Sequence, residues 1–171
     1  MKIALKYGLL AGTVIAFWDM LNYFYLYKTF LGKFSFLIDL AILVLCLFYG
    51  MKSIKKNMYD GLITFGNSSL SGVQIALVTS TVLSLLTLTY YLIGNPDFEQ
   101  FYISENIRVM QENKMTDIGK RIHELKLTFK PINQARSSFI VTLLLGAVFS
   151  FLFGMVFRNK LPESSLNPLN N

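Results

Sequence analysis

Charge is what this chain has least of. Only 15% of its 171 residues are charged, against roughly 25% in a soluble domain, which excludes a water-covered globule as its main body. The single cysteine, Cys46, excludes an internal disulfide, and no CxxC or Cys/His spacing exists to hold a metal. His123 is the only histidine. It lies far in sequence from any membrane serine and falls on a charged face near Lys120 and Glu124, so it reads as solvated rather than catalytic. Ser-Lys, GxGxxG, HExxH and P-loop patterns are absent too. No catalytic, cofactor-binding or metal-binding residue is assigned. No cofactor or small-molecule substrate is identified, and the chain is not read as an enzyme.

What the chain does have is apolar length. It is 53% hydrophobic with a mean hydropathy of +0.48, and the apolar residues fall into four blocks at about 5–27, 34–51, 70–93 and 138–157. Each is near the roughly 20 residues that a helix rising about 1.5 Å per residue needs to cross a hydrocarbon core. Charges on one face of every turn, the mark of a soluble core helix, are missing from them. The expected fold is all-α: a polytopic membrane protein with four transmembrane helices and two amphipathic helices in the third connector. Residues 1–160 read as a single four-helix membrane domain. Residues 161–171, with two prolines, three asparagines and two serines, read as a disordered tail.

The formal charge of +6 sits between the blocks or at their ends. Basic residues so placed meet anionic headgroups, and the partner they imply is the lipid bilayer rather than nucleic acid. Residues 1–16 loosely fit a secretory signal, but the apolar run before Ala16 is short and continues through Phe17 and Trp18, so the block reads as the first span.

Each span carries a small or polar stripe. On a helix at about 100° per residue, Gly8, Gly12, Ala16, Asp19, Asn22 and Tyr23 share one arc. Small residues let helix backbones approach, and a buried carboxylate must point at a partner or at water, so both arguments turn this face inward. Ser35, Asp39, Cys46, Gly50 and Ser53 form the second stripe. Gly72, Ala76, Ser80 and Ser84 form the third, with Thr79 and Thr87 nearby, and Gly146, Ser150 and Gly154 the fourth. The expected helix-packing residues are Gly8, Gly12, Ala16, Gly72, Ala76, Ser80, Gly146, Ser150 and Gly154.

Asp19, Asn22 and Asp39 form the candidate intramembrane polar cluster. Asp19 lies nine residues before Lys28 and Asp39 six after Lys33, so in an antiparallel hairpin their depths differ by roughly 5 Å. Three readings stay open: carboxylates bonded by Asn22, Tyr23, hydroxyls, Lys28 or Lys33; a cation or proton site; or an anchor for a basic residue of a partner. An aspartyl protease dyad is set aside because neither residue lies in such a motif.

Between the spans, Lys52, Lys55 and Lys56 mark a membrane interface. Asp60-Gly61 signals a turn, and residues 62–65 are too apolar to float in water. Gly66, Asn67 and Ser68 are expected as a turn, with Asn67, Ser68 or Ser69 capping the third span. Gly94-Asn95 closes that span, Pro96 blocks further helix and Asp97 caps the next. In the long connector, Phe98, Phe101, Tyr102, Ile103, Ile107 and Met110 recur with helical spacing. Ile118, Ile122, Leu125 and Phe129 do so in a second run, capped by Thr116 or Asp117 and ended by Pro131.

Three stretches, Leu5-Lys6-Tyr7-Gly8-Leu9-Leu10-Ala11-Gly12, Ile63-Thr64-Phe65-Gly66 and Asn95-Pro96-Asp97-Phe98, stand in an order that resembles the Bacteroidota membrane proteins of domain of unknown function family 4199. The similarity covers nearly the whole chain. It implies a bacterial inner-membrane protein with four helices and supplies no activity and no site residues. Four spans put both termini on one side, and Lys52, Lys55, Lys56, Arg158 and Lys160 assign that side to the cytoplasm; the basic residues of 120–136 pull the other way. Two functions are carried forward: an accessory or structural subunit packed into itself or a larger membrane complex, and a small dimeric transporter or channel using Asp19 and Asp39 for proton or cation binding. Broken helices and internal repeats, common in transporters, are not evident.

Overall fold

The computed structural model describes residues 2–22, 34–95, 97–112 and 118–159. Among the described residues six α-helices follow one another: α1 (Lys2–Leu21), α2 (Ser35–Met58), α3 (Phe65–Thr89, continued by a π-helical turn, Tyr90–Gly94), α4 (Phe98–Glu112), α5 (Ile118–Thr128) and α6 (Pro131–Phe157). There is no strand among the described residues. α1, α2, α3 with its π turn, and α6 are each long and apolar enough to cross a membrane.

The spans alternate in direction. Gly8 faces Ile75 and Val78 while Gly12 faces Thr79 and Val82, so α1 and α3 run parallel. Gly50 meets Tyr7, and Trp18 Nε1 donates to Ser35 Oγ at 2.9 Å, so α2 runs back along α1. Gly72 meets Ser150 and Gly154 meets Ser69, so α6 runs back along α3. The most extensive packing joins α3 to α6, followed by α1 to α3. Leu47, Met51, Ile75, Thr79, Ser80 and Ser150 are fully buried between them, while Phe17, Leu45, Ile93, Leu144 and Val156 point outward and exposed. An apolar exterior around a partly polar interior suits hydrocarbon as the surroundings.

Local chemistry moves several boundaries from their expected places. α3 starts at Phe65 because Thr64, extended at its backbone, accepts the Asn67 N–H on its hydroxyl at 3.4 Å. Gly66, Asn67 and Ser68 are thus the first helical turn rather than a turn ahead of it, and Ser68 and Ser69 are buried instead of capping. α6 opens seven residues before 138, since Pro131 sits in its first turn, where a missing N–H costs nothing. α2 continues to Met58, so Lys52, Lys55 and Lys56 ride its last turns, and Lys55 Nζ donates to the Phe157 carbonyl at 2.8 Å. Asp60 and Gly61 take φ of 46° and 85° and form the turn. Ile63 is buried, its carbonyl accepting the Asn159 N–H at 3.0 Å, while Leu62 and Phe65 on either side are exposed. Tyr23, the expected end of the first span at 27, the caps Thr116 and Asp117, and the expected tail 161–171 lie outside the described residues.

α4 and α5 pack on each other, and α5 touches α6. Ile103 is buried, Ile107, Met110, Ile122 and Leu125 are half-buried, and His123 is exposed. Phe129, just past α5, packs against the Tyr90 and Tyr91 pair at the end of α3. The carbonyls of Leu127 and Thr128 accept from Asn133 Nδ2 and Gln134 Nε2, which satisfies the end of α5 and holds α6 beside it.

Candidate functional site

Along α6, Gln134, Ser138, Thr142, Gly146, Ser150 and Gly154 recur every fourth residue, and the stripe changes character halfway. Its second half is the small one. A Cβ on Gly72 would stand 2.5 Å from Ser150 Oγ and 2.8 Å from Met51 Sδ, one on Gly146 would collide with Ala76, and one on Gly154 with Ser69 Oγ. Across the bundle, Gly8 would meet Val78 at 2.6 Å and Gly12 the Thr79 carbonyl oxygen at 2.9 Å. Ala16 and Ser80 are buried alongside. The hydroxyls here stay within their own helices: Thr79 donates to the Ile75 carbonyl at 2.9 Å, Ser80 to Leu77 at 3.0 Å and Ser150 to Gly146 at 2.6 Å. Backbones this close leave no room for a path.

Toward the hairpin end the same stripes turn polar and the helices part. Asp19 of α1 and Asp39 of α2 line one cavity of 140 Å³ with Ser138 and Thr142 of α6, walled by Ile15, Phe36, Leu43 and Leu83. Oδ1 of Asp39 is buried without a hydrogen-bond partner, so the reading in which hydroxyls or amides satisfy both acids is not what this atom displays. Asn22 is not among the residues lining this cavity; its Oδ1 is likewise buried and unpartnered. Lys28 and Lys33 lie outside the described residues.

A second cavity, of 70 Å³, shares Asp19 and Ser138 with the first and is lined further by Ala16, Met20, Thr87, Tyr90, Tyr91 and Gln134. Its floor includes the π turn, where the Asn95 N–H donates to the Tyr90 carbonyl at 2.8 Å and Asn95 Nδ2 to the Tyr90 hydroxyl at 3.2 Å. Such turns rotate side chains out of α-helical register and recur at functional sites. Ser138, Thr142, Gln134, Tyr90 and Tyr91 were missed as site residues. The four-residue stripe of α6 continued backward from Gly146 contains three of them, of which only Gln134 lies before the expected start at 138.

No group of three or more His, Cys, Asp or Glu side chains able to hold a metal occurs among the described residues, so any ion held here would need hydroxyl or water oxygens beside the two carboxylates.

Four alternating apolar spans, a surface helix hairpin and two half-buried carboxylates lining one cavity define an all-α, multi-pass membrane protein. No curated protein and no solved structure matches the chain. It belongs to the family described as Protein of unknown function (DUF4199), whose model matches residues 6–159.

Proposed function

We propose that the chain is an accessory or structural subunit that packs into a larger membrane assembly, or with a second copy of itself, in the bacterial inner membrane. The observation carrying this reading is Gln74. Its side chain is exposed on the outer face of α3, within a span, beside an apolar groove lined by Lys2, Ala4, Leu5, Leu77 and Val78. Facing lipid, a carboxamide leaves its donors and acceptor unmatched, whereas a neighbouring transmembrane helix supplies them. Model peptides gain about 1–2 kcal/mol from such bonds. The α4–α5 hairpin adds a second surface for docking.

Gln74→Leu keeps the face lipid-compatible and removes the hydrogen bond. The expected result is a loss of about fivefold or more in crosslinked dimer, or in a copurifying membrane partner, relative to wild type. A wild-type protein that remains monomeric in gentle detergent, with nothing copurifying, sinks the reading.

The termini are assigned to the cytoplasm. Lys2, Lys52, Lys55, Lys56 and Arg158 gather at the bundle end opposite the hairpin, which supports that orientation. In intact cells Asn113→Cys is expected to react with an impermeant thiol reagent and Asn170→Cys to resist it; labelling of the latter alone reverses the assignment.

A second reading, a small dimeric transporter or channel that uses Asp19 and Asp39 for proton or cation binding, is favoured by the cavity the two carboxylates share and by the second cavity adjoining it.

A further inference from the structure

The cavity between α1, α2, α3 and α6 has the chemistry of a receptor rather than of a packing defect. Voids left by imperfect packing are apolar and dry. This one places four oxygen-bearing side chains, Asp19, Asp39, Ser138 and Thr142, among apolar walls. Two observations point to an occupant. Oδ1 of Asp39 is buried and unpartnered. Thr142 is only 9% exposed, yet its hydroxyl makes no hydrogen bond among the described residues. Thr79, Thr81 and Thr89 bond the carbonyl four residues back, as threonine in an apolar helix ordinarily does, whereas Thr142, like Thr13 and Thr87, does not. A threonine that forgoes that bond and lines the same cavity as two carboxylates has its oxygen free for something else.

The donor set decides the class. Every polar group is oxygen, with no histidine or cysteine lining the cavity, which suits hard cations and disfavours zinc, copper or iron. The volume of 140 Å³ matches roughly four to five waters at about 30 Å³ each, so an ion and part of its hydration shell fit. Two carboxylates in a low-dielectric setting call for two positive charges. One divalent ion, or one monovalent ion with a proton on the partner acid, supplies them.

We infer that Asp19, Asp39, Thr142 and Ser138 form a binding site for a hard metal cation, reached from the hairpin end through the cavity of Gln134, Tyr90 and Tyr91 and closed toward the termini by the glycine seam. This deepens the transporter reading by naming the ligand class and two further ligands, but binding stands independently of whether ions cross.

The test uses the full chain, purified in detergent and stripped with chelator, its thermal unfolding followed in choline chloride with added Na⁺, Ca²⁺ or Mg²⁺. At a hundredfold excess over Kd, one of these ions is expected to raise the midpoint by about 5 °C or more. A divalent ion acting alone assigns a doubly charged occupant; Na⁺ acting alone assigns a monovalent one bound together with a proton. Asp19→Asn and Asp39→Asn, each folded in choline, are expected to lose the shift. Thr142→Val, which keeps the shape, is expected to need about tenfold more ion for the same shift. No shift with any of the three ions, or an equal shift in wild type and both Asn variants, overturns the site. Flux of the same ion into proteoliposomes separates the two proposals: binding without flux retires transport and leaves the site standing.

Discussion

Gly146→Val lowers the midpoint of thermal unfolding in detergent by about 2–12 °C. A Cβ on Gly146 collides with the Cβ of Ala76 and comes within 3.4 Å of its Cα. Neither atom belongs to a side chain that can swing aside, so α3 and α6 must separate along the most extensive interface of the molecule. Overpacking of this kind costs about 1–3 kcal/mol, and each kcal/mol moves the midpoint of a chain this long by about 2–4 °C. Separation also strips the contacts of Gly72 with Ser150 and of Gly154 with Ser69, which lie on the same ridge. In a membrane this matters more than in water. Lipid tails are as apolar as leucine, and close van der Waals contact between backbones is what holds such helices together. Gly119→Ala is the control: a Cβ there meets nothing within 4 Å, and the midpoint is expected to hold or to rise slightly, since alanine is the better helix former. A Gly146→Val protein melting within about a degree of wild type would mean that α3 and α6 are not in this register.

Asp39→Leu works in the opposite direction. In cation-free detergent it is expected to raise the midpoint by about 2–8 °C, equivalent to about 1–2 kcal/mol. A carboxylate within a membrane helix costs about 2.5–3.5 kcal/mol on insertion scales, and here one of its oxygens is buried without a partner. Leucine removes that cost and fills part of the 140 Å³ cavity, which recovers packing as well. The same variant is expected to melt identically with and without added cation. Stability gained together with a response lost is the signature of a residue kept for function. A fall in the midpoint would instead make Asp39 a structural acid, satisfied in the folded protein, and would return the pair to the reading in which hydroxyls and amides satisfy it.

The membrane fold was readable because it rests on properties that do not depend on packing. Four blocks of about 20 uncharged apolar residues can be accommodated only as spanning helices when every backbone group must be satisfied internally, and all four coincide with long apolar helices. The hairpin was readable from the spacing of Ile103, Ile107, Ile122 and Leu125. The boundaries were less so, because single side chains decided them. Thr64 won the cap over Asn67 and the serines, whose positions it drew into the first turn, and Pro131, read as a stop for one helix, was the start of the next.

The candidate site was half legible. Asp19 and Asp39 stood out because acids are costly where they lie, and depth alone argued that they could meet. Ser138, Thr142, Gln134 and the two tyrosines did not stand out, since serine, threonine and tyrosine are cheap in membrane helices and carry no signal singly. Asn22 shares the arc of Asp19 on α1, yet it is not among the residues that line the cavity.

By itself the sequence determined the class of molecule: all-α, four spans, a basic end and a surface hairpin. Hydrophobic length, charge placement and helical period are local properties, legible one segment at a time. Only the tertiary structure decided that the small halves of the stripes meet at one end of the bundle and the polar halves at the other, leaving a sealed seam below a cavity with two acids. That division depends on which faces of α1, α2, α3 and α6 oppose one another and in what register, and register between distant segments is set by packing, which no single stretch of chain contains.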